Sequence, residues 1–390
     1  MDTILVVNAG SSSLKFEVFA VGTALVKLVK GQVEGIGTAP HFTVKNTNGE
    51  QVVDRSYTSG DVPDLAAAMH HVGTWLRGQH EGQLVAVGHR VVHGGPDYAH
   101  PVRVDQHVLE DLERYVPLAP LHQPNNLAAI RTLLERRPDL PQIACFDTAF
   151  HYGHDPVTDH YAIPAHFFAE GVRRYGFHGL SYEYVAGRLR NIAPDIATGR
   201  VIVAHLGSGA SMCALRDGHS LECTFGFTAL DGLPMGTRCG QIDPGVLLYL
   251  IDQGSMTSSE LQDMLYNESG LKGLSGISND VRDLLASDDA RAALALDHFV
   301  HRISLNAGAL AAALGGLEAF VFTAGIGENS PIMRERIAKR LSWLGAQLDP
   351  ARNETGEILV STADSRIALY VVPTDEELMI AQHTLGMITV

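Results

Sequence analysis

The stretch Ile4–Phe19, ILVVNAGSSSLKFEVF, decides how the rest of the chain is to be understood. Its apolar run Ile4-Leu5-Val6-Val7 predicts a buried strand. The run breaks at Asn8-Ala9-Gly10-Ser11-Ser12-Ser13, which is turn material. Leu14, Phe16 and Val18 then alternate with Lys15 and Glu17, as in the second strand of a hairpin. Small side chains, hydroxyls, backbone N–H groups and Lys15 just beyond them are what a phosphate needs. The same residues also describe an ordinary polar hairpin turn. No G-x-x-x-x-G-K-[ST] run is present, and strand rather than helix follows, so this is not a Walker-type loop.

The surroundings narrow the function classes. With 390 residues, two domains are expected. The chain is 45% hydrophobic and 19% charged, a globular composition. Its formal net charge of −15, with no basic stripe, argues against a nucleic-acid partner. An anionic substrate must then be held by a few placed cations. No run of about 18 apolar residues suggests a membrane span. Asp2 followed directly by a strand does not resemble a signal peptide, so a cytoplasmic location is expected. Cys145, Cys213, Cys223 and Cys239 lack C-x-x-C spacing and read as reduced thiols. The pairs His89/His93 and His151/His154 have metal-ligand spacing, but no further ligand pattern completes either.

Downstream, Gly31–Tyr57 alternates in the manner of further antiparallel strands, and Asp64–Arg77 has helical spacing. Leu84–Gly88 predicts a short buried strand leading into His89–Gly95. Helices are expected over 108–115 and 125–137, and a strand over Gln142–Phe146 with Asp147 at its carboxyl end. This alternation implies right-handed crossovers in a doubly wound sheet, whose ligands bind beyond the strand carboxyl ends. Arg90 and Asp147 occupy such positions. The segment 148–174 reads as a connection, followed by a helix from Ser181.

The opening pattern then returns. Val201-Ile202-Val203-Ala204-His205-Leu206-Gly207-Ser208-Gly209-Ala210-Ser211 aligns His205 with Asn8 and Gly207 with Gly10, and a strand follows again at 212–215. Duplication is the simplest explanation of so long a period. Two similar domains, each opening with a hairpin able to clasp phosphate, would face each other across a cleft. Beyond it, Thr228–Gln241 is Gly-rich and carries Arg238, and helices are expected over 244–252, 258–266 and from Ser278. A long, buried, Ala-rich helix is expected over Arg291–Leu314. The strand Ala319–Phe322 leads to a Gly turn, Thr323–Asn329, with Ser330 and Pro331 starting a helix. After the strand 367–372, Thr374 and Glu377 have capping-box spacing, which leaves Glu376 unexplained, and Val390 closes the chain after a short helix.

Nine segments now form a set: NAGSSSLK (8–15), HRVVHGG (89–95), ACFDTAFH (144–151), RYGFHGLS (174–181), AHLGSGAS (204–211), MGTRCGQIDP (235–244), GISNDVR (276–282), TAGIGENS (323–330) and PTDEELMIA (373–381). In order and spacing they resemble the motif set of the acetate kinase family over nearly the whole chain. The resemblance implies an α/β fold of two duplicated actin/ribonuclease H-like domains, mixed sheets flanked by helices, with an active-site cleft between them. Residues 1–148, completed by 375–390, would form the N-terminal domain, and 149–374 the nucleotide-binding one. It further implies a cytoplasmic homodimeric transferase serving acetyl-CoA biosynthesis, moving the ATP γ-phosphoryl group to acetate with Mg2+, or Mn2+ in its place. Acetyl phosphate and ADP would form reversibly by in-line transfer.

Carried over by position, Asn8 and Glu376 match the metal site, Lys15 a phosphate contact and Arg90 the carboxylate binder. Asp147, His178 and Arg238 match the catalytic group, and Val92, Leu121 and Phe177 the substrate pocket. His205, Leu206, Gly207, Ser208 and Gly209 match one nucleotide segment. Asp280, Val281 and Arg282 match a second, and Gly325, Ile326, Gly327, Glu328 and Asn329 a third. The chain departs from the family at Ser208 (commonly Asn) and Ala229 (commonly Pro).

The chemistry suits these residue types. A carboxylate acceptor has a pKa of about 4–5 and arrives ionised, so no general base is needed. What opposes reaction is repulsion between anions, which placed cations offset. Arginine suits planar oxyanions because its donors form a fixed fork. Asp147 is therefore expected to orient metal or substrate. Val92 narrows the pocket toward acetate, although one methylene discriminates only roughly 10–200-fold, which leaves propionate close and butyrate further off. Two other classes stay open: an ATP-driven binding module, and a sugar kinase in which Asp147 would serve as base. Without the family match, His178 would read as a core histidine.

Overall fold

The computed structural model describes residues 1–79 and 82–389; Val390, expected to close the chain, lies outside them. The chain divides into two units, Met1–Phe150 with the C-terminal stretch from Asp375, and His151–Thr374.

The first unit carries β1 (Asp2–Ala9), β2 (Ser13–Ala20), β3 (Val26–Glu34), β4 (His41–Asn46), β5 (Gln51–Ser56), β6 (Gln83–Val91), β7 (Val102–Arg103) and β8 (Gln142–Phe146). They form one sheet in the order β5-β4-β3-β2-β1-β6-β8-β7. β1 to β5 are joined antiparallel, β1-β6-β8 run parallel, and β7 lies antiparallel on β8. The two residues of β7 are too few to show a period, so nothing in the sequence announces it. Leu5, Val7, Leu14, Phe16 and Val18 meet Met69, Trp75 and Leu76 of helix Leu65–Gln79 and Leu133 of helix Gln123–Arg136. The opposite face is covered by helix Glu376–Ile388, which packs on β1, β6 and β8. Burial on both faces is why β1 reads as an unbroken apolar run. Gly88 allows that helix to approach: a Cβ there would lie 2.3 Å from Thr384 Oγ1 and 2.6 Å from Ile380 Cγ2.

The second unit carries β9 (Arg200–Leu206), β10 (Ala210–Arg216), β11 (His219–Cys223), β12 (Ala319–Thr323) and β13 (Ala368–Val371) in the order β11-β10-β9-β12-β13. β11-β10-β9 are antiparallel and β9-β12-β13 parallel. This repeats β3-β2-β1-β6-β8 strand for strand and sense for sense. Both units are thus α/β, with mixed sheets flanked by helices in actin/ribonuclease H-like order. Helix Ala290–Leu314 starts at its Asp289 cap, which accepts from Arg291 N, and stops at Gly315 with φ +70°. It buries Phe299, Ile303 and Leu310 and packs on β10, so its apolar face belongs to this unit's core.

Several expectations need correction. Thr323–Asn329 is not an open Gly turn: Ala324–Asn329 is helical, entered through Ala324 at φ +63°. Glu328 Oε1 accepts from Ala324 N at 2.7 Å, and Asn329 Nδ2 donates to Gly325 O at 2.9 Å, which closes the turn into a helix. The Thr374–Glu377 capping box does not form, because Asp375 is the cap and accepts from Leu378 N at 2.9 Å. Thr374 Oγ1 accepts instead from Ser181 Oγ at 2.9 Å. The histidine pairs are core residues. His151 Nδ1 and His154 Nε2 each lie 2.8 Å from Ser220 Oγ, and His89 Nε2 lies 2.8 Å from Gln142 Oε1. His93 Nδ1 accepts from Gly95 N. Burial lowers His89 to about 4 and His93 and His151 to about 3, so these three stay neutral. All four cysteines are free thiols.

Candidate active site

In the first unit the site residues gather where β6 and β8 end. β6 continues past Gly88 to Val91, so Arg90 stands in the strand itself. Arg90 Nε and Nη2 donate to Asp147 Oδ1 and Oδ2 at 3.0 and 2.7 Å, a bidentate pair. Asp147 follows β8, and its backbone N donates to Val91 O at 3.1 Å, which locks the two strand ends together. Glu376 opens helix Glu376–Ile388 and brings Oε2 to 3.6 Å from Arg90 Nε. The side chains are 21% (Arg90), 2% (Asp147) and 16% (Glu376) exposed, so all three are largely shielded from bulk water. Burial acts to lower the Arg90 pKa, but Asp147 and Glu376 more than offset it and raise it overall. Burial pushes the Glu376 carboxyl up to about 7; Asp147 and Glu377 add to this, against the pull of Arg90 and Lys15.

Asn8 pairs with Lys15 across β1 and β2, and Lys15 is exposed. Sequence reasoning missed Asn126. Its Oδ1 accepts from Val92 N at 3.0 Å and its Nδ2 donates to Ala9 O at 2.7 Å. One buried amide thus joins the hairpin turn to the end of β6. A lone Asn in a helical stretch gives no warning of that role. Val92 is buried, whereas Leu121 is exposed just ahead of helix Gln123–Arg136.

A second missed group steadies Glu376. Buried Glu17 takes Lys27 Nζ at 2.7 Å and Lys30 Nζ at 3.1 Å, and Lys27 also donates to the cap Asp375 at 3.1 Å. Burial raises the Glu17 carboxyl despite its lysines. Glu17, Asp375 and Glu377 cluster closely, and Lys27 and Lys30 offset two of these three charges through Glu17 and Asp375. The alternation of charges along β2 and β3 could have hinted at this set.

In the second unit, His178 takes a left-handed backbone, φ +59°, at the start of helix Gly179–Ile192. Its Nδ1 lies 2.9 Å from Ser211 Oγ, which Tyr182 OH also contacts. The His178 ring stacks on His205 with centroids 4.0 Å apart, and His205 Nδ1 lies 2.9 Å from Ser181 Oγ. Arg238 Nη1 donates to Ala229 O at 2.8 Å. Gly209 lies against both catalytic candidates: a Cβ there would sit 2.7 Å from Arg238 Nη2 and 3.3 Å from His178 Nε2. Gly236 N donates to Ser208 O at 3.1 Å, tying the Gly-rich loop to the hairpin turn. His178, His205, Gly207, Ser208, Gly209 and Arg238 therefore form one group, with Leu206 ending β9 in the core. Phe177 is buried edge-on against Phe225.

The other two segments have local structural explanations as well. Asp280 caps helix Val281–Leu285 by accepting from Arg282 N, and the Arg282 side chain folds back on the Asp280 carboxylate at 2.6 Å. Glu328 is held by Ala324 N and Thr374 N, while Gly325 faces open space. Ile326 and Gly327 lie within the same short helix.

Residues 3–382 match the model of the acetokinase family. An acetate kinase of Nitrobacter hamburgensis is 63% identical over all of this chain and 96% of its own length. A crystal structure of Porphyromonas gingivalis acetate kinase covers 100% of both chains with a TM-score of 0.89 at 35% identity. A propionate kinase from Francisella tularensis superposes with a TM-score of 0.93 at 36% identity, covering 99% of this chain and 100% of its own. The strand order and the match over nearly the full length agree: this chain belongs to the acetokinase family and is a kinase, a phosphoryl-transferring enzyme.

Proposed function

We propose that the protein transfers the γ-phosphoryl group of ATP to acetate, giving acetyl phosphate and ADP, reversibly, with Mg2+ and by direct in-line displacement. One observation carries this choice of acceptor. Asp147, the residue a hydroxyl acceptor would need as base, has both oxygens engaged by Arg90. The acceptor must then arrive already ionised, as a carboxylate does.

Arg90 is oriented by Asp147 through Nε and Nη2, which leaves its Nη1 edge for the incoming carboxylate. Val92, Leu121 and Phe177 would bound the methyl group. His178 and Arg238 would donate to the oxygens of the transferring phosphoryl, where charge in a water-poor site is most strongly stabilised. Lys15 would meet the phosphates, and the segments 205–209, 280–282 and 325–329 the nucleotide. Asn8 and Glu376 offer the oxygen donors that Mg2+ takes. The raised Glu376 pKa fits such a site, because it marks a carboxylate with less positive charge around it than its burial demands. When bound, Mg2+ would neutralise phosphate charge.

The two-kinase comparison keeps propionate as a second reading, since a structure named as a propionate kinase superposes this closely. Measuring kcat/KM for acetate, propionate, butyrate and glycerol on the purified protein should rank them in that order, with no detectable phosphorylation of glycerol. Arg90→Ala should raise KM for the carboxylate at least tenfold more than KM for ATP, as loss of a charged hydrogen-bonding partner implies by about 1.5–3 kcal/mol. The reverse ranking would move Arg90 to the nucleotide. A homodimer is also proposed: helix Pro244–Asp252 buries none of its residues and leaves Leu248 and Tyr249 each 63% exposed. Light scattering on the purified protein should give twice the chain mass.

A further inference from the structure

The first unit contains a cavity of about 390 Å³ that none of the roles above uses. Its floor is the face of β1 and β2 formed by Leu5, Val7, Leu14 and Phe16, and its walls include Met69, Leu76 and Leu133. Protein interiors seldom keep voids larger than a water molecule. This one falls within the roughly 300–1,000 Å³ of small-molecule sites. At about 30 Å³ per water-sized group it would take roughly a dozen such groups.

The rim has a single sign of charge. Arg77, Arg136, Arg137 and His70 line it, and no carboxylate appears among its described lining residues. That contrasts with a chain of net charge −15. Among the described residues Arg77 donates to Thr74 Oγ1 at 3.0 Å, and neither Arg136 nor Arg137 has an ion-pair partner. An apolar chamber with guanidinium groups at its mouth matches an apolar chain with an anionic head.

We propose that this cavity is a binding site for a medium-chain monocarboxylate, its chain against Leu5, Val7 and Leu133 and its carboxylate at Arg136 and Arg137. The site is distinct from the one assigned to the short acceptor. Val7 and Leu14 point into it, while the adjoining Asn8 and Lys15 lie on the other side of the same strands. A short acid lacks the chain to fill it.

The chain has two tryptophans, Trp75 and Trp343. Trp75 lies on the cavity's own helix, with its ring 6.2 Å from that of Phe16. Full-length protein carrying Trp343→Phe would therefore report occupancy through Trp75 emission, with calorimetry on the parent in parallel. Decanoate should bind saturably, and decanol at least tenfold more weakly. Arg136→Gln with Arg137→Gln, both on the surface, should weaken decanoate at least fivefold and leave decanol unchanged. Gly73→Leu projects into the chamber and should abolish decanoate binding. A Cβ at Gly73 meets only Arg77 Nη1, at 3.6 Å, so the helix accepts it. Absence of saturable decanoate binding by both methods would overturn the proposal. So would equal binding of decanol, or undiminished binding in both the Gly73→Leu and the double-arginine variants. Should Gly73→Leu fail to fold, the double-arginine variant decides.

Discussion

The two hairpins occupy the same place in two sheets of the same strand order, yet they present different groups. In the first, four residues separate the last pair, Ala9 and Leu14; in the second, three separate Leu206 and Ala210. Both turns close the same way, with Gly10 N donating to Ser13 O and Gly207 N to Gly209 O. The missing residue shifts the register of the returning strand by one. Opposite Asn8 stands Lys15, but opposite its counterpart His205 stands Ser211. The first hairpin therefore presents a cation near enough to Glu376 for the two charges to interact. The second presents a hydroxyl that holds His178, and a glycine that admits Arg238. On one repeated scaffold, a one-residue difference in turn length sets a charge opposite Asn8 in one copy and a hydroxyl opposite His205 in the other.

That division can be broken experimentally. Gly209→Ala attacks the second copy where it has least room, since the added Cβ would stand 2.7 Å from Arg238 Nη2. Displacing such a group by a fraction of an ångström should lower kcat by about 10²-fold with the fold retained by circular dichroism. Activity within threefold of the parent would show that Arg238 can move without consequence. Lys15→Ala attacks the first copy and should lower kcat roughly 10–100-fold while the ADP dissociation constant changes by less than about threefold. A matching loss in ADP affinity would assign Lys15 to nucleotide binding and erase the contrast.

Two smaller effects sharpen it through Glu376. Burial pushes its carboxyl up to about 7, and in the proposed metal site it would have to be deprotonated. Mn2+ binding followed by electron paramagnetic resonance should be about tenfold weaker at pH 6 than at pH 8. A pH-independent affinity would remove Glu376 from the proposed metal site. The same shift has a consequence for stability. A carboxyl whose pKa is raised on folding favours the folded state below its unfolded value near 4.5, and that contribution is lost as pH rises through about 7. Glu376→Gln should therefore gain on the order of 1–2 kcal/mol relative to the parent at pH 8 and nothing at pH 4.5. An equal difference at both pH values would mean that Glu376 is not the group titrating.

Much of this was legible in one dimension. The hairpin at Ile4–Phe19 and its echo at Val201–Ser211 are visible because strands buried on both faces must be continuously apolar and tight turns must be small and polar. The long helix ends where a capping aspartate and a left-handed glycine place its limits. What stayed hidden was which of two local contacts wins at a helix end, and whatever depends on partners far away in sequence. The Thr374 capping box failed because Asp375 competed for the same helix end and Ser181 claimed Thr374. The Thr323–Asn329 turn became a helix because the Glu328 side chain reached back to its start. Asn126 carries no local signal, yet it joins two strand ends.

By itself, then, the sequence determined the duplicated α/β scaffold, the positions of its turns and the residue types available for phosphoryl transfer, since these follow from local periodicity and backbone chemistry. Only the tertiary structure decided that Asp147 holds Arg90 on both oxygens, that burial lifts the Glu376 carboxyl to about 7, and that Ser211 rather than a cation faces His205. Those facts depend on distances and on exclusion of water, and both are set by which distant segments pack together.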